Sequence, residues 1–173
     1  MNETLRQVID RLTWQRRFGE ALEHLDRIGS SETDAEIHRM RASVYYSMGN
    51  IERAIEETTK SLELNGNPLY NYYFRGLYRA EIGDFHGSVA DLEMVNSLEE
   101  QRYPGEQFTS ALFWIAVLKI IHKSEFDDEL LNRIRADYEE YVFDSLVSKN
   151  DILAARKSES ERVRFVDRLA RGR

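Results

Sequence analysis

The sequence predicts an all-α protein assembled from helical hairpins, and three observations predict it. The 173-residue chain matches itself at an offset of 34, each copy is divided by Gly followed by Asn or Asp, and apolar residues recur at 3.6-residue spacing on both sides of that division. With 2 Pro and 9 Gly it lacks the turn residues of a many-stranded sandwich, and 42% apolar residues place it outside the disordered class. At ~100–200 residues per domain the length suits one domain or one compact array.

The first hairpin is expected over residues 2–34. Phe18-Gly-Glu-Ala-Leu-Glu-His-Leu aligns with Ile51-Glu-Arg-Ala-Ile-Glu-Glu-Thr at an offset of 33, and Arg16 stands where later copies carry Gly. The second and third hairpins are expected over 35–68 and 69–102. Between them Arg41 falls on Arg75, Ala42 on Gly76, Met48 on Ile82, Gly49 on Gly83, Asn50 on Asp84, Ile55 on Val89 and Leu64 on Leu98. Gly49 and Gly83 supply the left-handed residue that ends a first helix, and Asn50 and Asp84 cap the second.

Tyr103-Pro104-Gly105 is the clearest breaker and sets the boundary of a C-terminal helical subdomain over 103–173. There the spacing predicts a very apolar helix over about 107–123, a polar turn, a long helix over about 127–148 and a last helix over about 151–170. Phe113, Trp114 and Ile115 lie on a helix that is apolar nearly all round, so they are expected in a core. Val163, Val166 and Ala170 would give the last helix an apolar stripe, which makes it a cap on the end of the array.

The Tyr45…Gly49-Asn50-Ile51…Ala54-Ile55…Leu62 run, and Tyr72…Arg75-Gly76…Gly83-Asp84-Phe85…Val89…Leu92 after it, resemble the tetratricopeptide repeat. The departures are Pro68 two positions late, Ser88 in place of a small Ala, and Arg79 in place of Tyr. The resemblance implies a right-handed superhelical array of three hairpins whose first helices line a concave groove. It places Arg6, Asp10, Trp14, Arg39, Met40, Tyr46, Tyr70, Tyr73, Phe74, Leu77 and Glu81 along that groove, aromatic at one end and charged at the other. Aromatics and Arg dominate interface energetics, so a docked protein segment is the implied ligand, weighed against plain packing for Tyr72, Tyr73, Phe74 and Tyr78. Family members that clamp a chaperone's C-terminal carboxylate need Asn where this chain has Asp10, Ser43 or Leu77, so that ligand is not expected.

Other chemistry finds no support in the sequence. With no Cys, there is no disulfide framework, thiol nucleophile or Cys-based metal site. His24, His38, His86 and His122 lack metal-ligand spacing, and no phosphate loop or nucleophile elbow occurs. The adjacent acids Glu56-Glu57, Glu99-Glu100, Asp127-Asp128 and Glu139-Glu140 point about 100° apart on a helix and are expected to be solvated. The expectation is a protein that is not an enzyme and needs no cofactor or metal.

Formal net charge is −7, against general nucleic-acid binding, yet from Asp151 onward seven basic residues meet four acidic ones, a +3 tail that leaves −10 on the rest. The acidic body favours a protein partner with a basic surface or segment. The rival is a nucleic-acid-associated regulator acting through the tail. The N-terminus carries no uninterrupted apolar run and Phe108–Ile121 is too short to span a bilayer, so no membrane partner and a cytoplasmic location are expected. Size and charge suggest a scaffold or adaptor, a secretion-chaperone-like protein or a toxin-neutralising immunity protein. Oligomeric state stays open.

Overall fold

Ten α-helices and one two-stranded hairpin follow one another in the computed structural model, which describes residues 4–28, 34–102, 109–125 and 128–171. The fold is an all-α helical repeat fold. The chain divides into two compact units, Met1–Gly83 and Asp84–Arg173. The division falls inside the turn expected to join the halves of the third hairpin. Tyr103-Pro104-Gly105 and Phe108 lie outside the described residues.

The first unit holds α1 (Leu5–Trp14), α2 (Phe18–Ile28), α3 (Ala35–Ser47), α4 (Ile51–Glu63) and α5 (Pro68–Glu81). At the starts of α1, α3, α4 and α5 a side chain satisfies an orphan N–H. Thr4 and Gln7 form a reciprocal capping box on α1, while Asp34, Asn50 and Asn67 cap α3, α4 and α5. Pro68 sits in the first turn of α5, where no N–H is missed.

The ends of α1, α3, α4 and α5 are equally uniform. Arg16, Gly49 and Gly83 have φ of +57°, +79° and +80°, so the left-handed residue recurs at one repeat position whether or not it is Gly. Arg17 N–H reaches the Leu12 carbonyl and Asn50 N–H the Tyr45 carbonyl, each at 2.9 Å, which closes both turns in the same way. Asn65, φ +59°, ends α4 likewise, with Gly66 N–H on the Ser61 carbonyl at 2.7 Å. Ile9, Leu12, Ala21, Leu25, Ile37, Met40 and Val44 form one core among α1, α2 and α3. Ala42, Ala54 and Tyr78 form a second among α3, α4 and α5.

The second unit contains α6 (Phe85–Arg102), α7 (Thr109–Ile121), α8 (Asp128–Asn132), β1 (Glu139–Val142), β2 (Ser145–Ser148), α9 (Lys149–Ala155) and α10 (Glu159–Ala170). As expected, α7 is buried on all sides: Ala111 through Leu118 are each 5% exposed or less. It ends as the first-unit helices do, at Lys123 with φ +55° and Ser124 N–H on the Lys119 carbonyl at 2.9 Å.

The long helix expected over 127–148 does not form. Phe143 and Asp144 both have positive φ, 46° and 61°, and turn the chain into an antiparallel hairpin pairing Glu139 with Ser148 and Val142 with Ser145. The strands alternate with period two, Val142 and Val147 being buried while Tyr141 and Leu146 face solvent. Leu131, Ile134 and Phe143 are buried all the same, by a different route from the one the helical spacing implied.

The last helix is two helices. Ser148 opens α9 with a capping box to Asp151, and Ser158 opens α10 by accepting the Glu161 N–H at 3.3 Å. The buried face of α10 is Phe165 and Leu169; Val163 and Ala170 are exposed. The stripe expected from Val163, Val166 and Ala170 is therefore rotated away from the core.

Candidate functional site

The residues expected to line the groove separate into three environments, all within the first unit. On α1, Arg6 and Asp10 project into solvent and approach each other to 3.8 Å, with both side chains more than 60% exposed. An exposed pair of this kind contributes little to stability. Trp14, at the end of the same helix, is 88% exposed. With Asp10, Thr13, Arg16, Phe18 and Ser47 it borders a cavity of about 310 Å3. Thr13 Oγ1 is buried without a hydrogen-bond partner.

Between α3 and α5 the structure assembles a continuous ladder of rings. Tyr70, Phe74 and Tyr78 stand four residues apart on α5, so their side chains lie over one another along one face. Tyr70 and Phe74 centroids are 4.3 Å apart and Phe74 and Tyr78 are 6.2 Å apart. Tyr46 of α3 stacks on Tyr78 at 4.7 Å, and Tyr73 meets Phe74 edge-on at 5.3 Å.

The guanidinium of Arg39 closes the ladder over the Tyr70 ring, 4.5 Å from its centroid. Glu36 holds Arg39 through both carboxylate oxygens, one bond being Nε to Oε2 at 2.6 Å, and this contact raises the Arg39 pKa despite burial. Tyr78 is 4% exposed, and burial pushes its phenol pKa up. Tyr46 remains 42% exposed; Tyr70, Tyr73, Phe74 and Leu77 are half-buried and Glu81 is exposed. Half-buried rings in a fixed stack present apolar area whose ordering cost is already met.

Met40 takes the third environment. It is 5% exposed inside the α1–α2–α3 core, turned inward one residue after Arg39, and is out of a partner's reach. The structure thus brings together Arg39, Tyr46, Tyr70, Tyr73 and Phe74, leaves Arg6, Asp10 and Trp14 as a separate patch, and removes Met40.

Three inward-turned acids escaped the sequence. Of the adjacent acids, Glu57, Glu99 and Glu140 are not solvated. The Glu57 carboxylate lies 2.6 Å from His38 Nδ1 and 3.0 Å from Lys60 Nζ. Burial alone would raise its pKa, but the His38 and Lys60 hydrogen bonds outweigh that and hold it below the usual carboxylate range. Glu140 accepts from Ser110 Oγ, Trp114 Nε1 and Tyr138 Oη. Glu99 is 3% exposed with Oε2 unpartnered, and burial pushes its pKa up to about 7. The expectation that all these acids are solvated fails for these three, because the separation of adjacent side chains keeps a pair from sharing one atom yet leaves either member free to turn inward. Among the described residues no three His, Asp or Glu side chains converge as a metal site would require, and no helix is long and apolar enough to cross a membrane.

No protein-family model matches the chain. Over 84 residues it is 31% identical to a TPR repeat-containing thioredoxin of Arabidopsis thaliana, and over 83 residues 32% identical to a FAM10 family protein of the same plant. Those stretches cover 48% and 47% of this chain, and 22% and 19% of the two relatives, so the chain spans about a fifth of their length. Among solved structures it is similar to a kinesin-light-chain-type protein of Podosopora anserina with nearly identical TPR-like repeats, at a TM-score of 0.65 and 13% identity over 97% of this chain and 92% of that one. It is likewise similar to MamA, at a TM-score of 0.67 and 12% identity over 99% of this chain and 96% of that one.

Proposed function

From a chain with a tetratricopeptide-like helical repeat fold, we propose a non-catalytic protein-binding module whose first unit holds a partner segment against the α3–α5 ring ladder. The observation that carries this reading is the Arg39–Tyr70–Phe74–Tyr78–Tyr46 stack: five large side chains prearranged, two of them buried, with Tyr73 and Tyr46 left accessible at its margin. Such rigid aromatic surface is what interface anchors are made of. Trp14 adds a second anchor on α1. Net charge of −7 favours a partner segment with basic flanks.

Scaffolding, chaperone-like holding or toxin neutralisation each fit a module of this kind, in a cytoplasmic setting. The rival reading, nucleic-acid binding by the tail, loses force because Arg156, Arg162, Arg164 and Arg168 are paired with Asp128, Glu159, Glu161 and Asp151.

The test compares two double variants in binding to a partner identified by affinity capture with the full chain. Tyr73→Ala with Phe74→Ala should weaken binding at least ~10-fold, and Tyr141→Ala with Leu146→Ala on the second-unit hairpin should leave it within ~2-fold. Trp14→Ala, at an 88% exposed position, should weaken binding without changing the melting temperature. Greater loss from the hairpin pair would move the binding surface out of the first unit.

A further inference from the structure

A cavity of about 980 Å3 in the second unit opens where α7 ends and α10 begins. Its floor is apolar, formed by Ile120 of α7, Leu130 of α8 and Ala155 of α9, with Ile120 and Ala155 buried. Its rim carries four cations, Lys119, Lys123, Arg156 and Arg162, against two acids, Glu125 and Glu159. This cationic spot lies on a unit with thirteen basic and eighteen acidic residues, so it runs against the charge around it.

The pairing inside the rim shows what chemistry it accepts. Arg162 grips the Glu159 carboxylate with Nε and Nη2, at 2.8 and 2.7 Å, and Lys123 Nζ approaches the same group at 2.8 Å. These contacts, Arg162 first, hold the Glu159 carboxyl down to about 2. Arg156 reaches outward to Asp128 at 2.7 Å. Lys119 has no acidic partner among the described residues. The site therefore holds one planar carboxylate in a two-cation cradle and has one cation in surplus beside it.

We propose that this cavity is a second docking site, independent of the ring ladder, for an acidic peptide segment. An aliphatic side chain of that segment sits on Ile120, Leu130 and Ala155; one flanking carboxylate meets Lys119 and another displaces Glu159 from Lys123 and Arg162. A lone inorganic anion would fill a small part of a volume at the upper end of ligand pockets and would leave the apolar floor unused. Glu159 and Lys123 are both more than 60% exposed, and exposed groups exchange ion-pair partners at little cost, so a carboxylate arriving with an apolar anchor can replace Glu159 over the more buried Arg162.

The test uses the full chain and a fluorescein-labelled probe, Glu-Asp-Glu-Leu-Leu-Asp-Glu-Asp, read by polarisation at low salt, with backbone amide shifts locating the contact. The probe should bind at or below about 1 mM, and a version with Lys in place of every acid should not. Lys119→Gln should weaken the probe at least ~3-fold. Glu159→Gln should strengthen it by about the same factor, a gain that an unfolded variant cannot produce. Inorganic phosphate at equal concentration should not compete. Absence of probe binding, shifts confined to the first unit, weaker binding by Glu159→Gln, full competition by phosphate, or tighter binding of a single-stranded oligonucleotide would each overturn the proposal.

Discussion

In the first unit one local geometry is used again and again; in the second the chain changes its period from helix to strand and back. The difference lies in what covers the apolar side chains. From Leu5 to Glu81 helices are covered by helices alone, α3 serving both cores of the unit, so helical spacing suffices throughout, and the turns at Arg16, Gly49 and Asn65 all place a left-handed residue after the last helical turn. In the second unit α7 is buried on all sides, which one neighbour cannot achieve, and a short helix, a β-hairpin and two capped helices supply the rest of the cover. A periodic sequence marks a structure with one kind of neighbour, and loss of period marks a core element enclosed from several directions.

The sharpest way to break this comparison is at α10, whose direction of burial the sequence misassigned. Phe165 is 5% exposed and Val163 is 42% exposed. Phe165→Ala should cost ~3–5 kcal/mol and Val163→Ala less than ~0.5 kcal/mol, measured by denaturant unfolding. A reversed order would restore the Val163 stripe and remove α10 from the core of the second unit. Burial of Phe165 and Leu169 sets the rotation, and Arg168 goes with it. Its Nη1 lies 3.0 Å from Asp151 of α9, and its guanidinium lies over the Phe165 ring, contacts that are compatible with that face turned in.

Legibility followed the same divide. The 34-residue match predicted α3, α4 and α5 closely, and the all-round apolar run predicted the burial of α7. The β-hairpin was hidden because its turn, Phe143-Asp144, contains no Gly, and because Leu131, Ile134 and Tyr138 happen to recur at helical spacing. The Ser148 and Ser158 caps were visible as Ser-x-x-Asp and Ser-x-x-Glu, and read as helix starts they would have split the last helix correctly. Within the ring ladder, the four-residue spacing of Tyr70, Phe74 and Tyr78 was legible; the inward turn of Met40 depends on packing against α1 and α2, which no local pattern encodes.

Glu99 sharpens the comparison through pH. Its carboxyl, raised by burial to about 7 from 4.5, binds its proton more tightly in the folded than in the unfolded chain. Stability from this group is therefore present at low pH, falls as pH rises from about 4.5 to 7, and stays reduced above that. Glu99→Gln removes the buried charge, so it should stabilise the second unit by ~1–3 kcal/mol at pH 8 and change little at pH 5. In the first unit Glu57, held below the usual range, contributes in the opposite direction, losing stability as pH falls through its carboxyl range. Equal effects of Glu99→Gln at the two pH values would mean that Glu99 is solvated.

The smallest effect tests the repeat itself. Arg16 and Gly49 occupy the same left-handed position, each donating its N–H to the carbonyl three residues back, at 2.9 and 2.8 Å. A Cβ built on Gly49 or Gly83 meets nothing within 4 Å, so a side chain there costs backbone strain alone. Gly49→Val should then destabilise by ~1–2 kcal/mol, since a β-branched residue is the least tolerant of positive φ. Arg16→Gly is the converse. Removing the Cβ relieves strain at φ +57°, and the greater freedom of Gly in the unfolded chain offsets part of the gain. The net expectation is stabilisation by ~0.5–1 kcal/mol, read as a rise in melting temperature. Destabilisation by Arg16→Gly would show that the Arg16 side chain, which borders the Trp14 cavity, holds the first turn by contacts that outweigh its backbone strain.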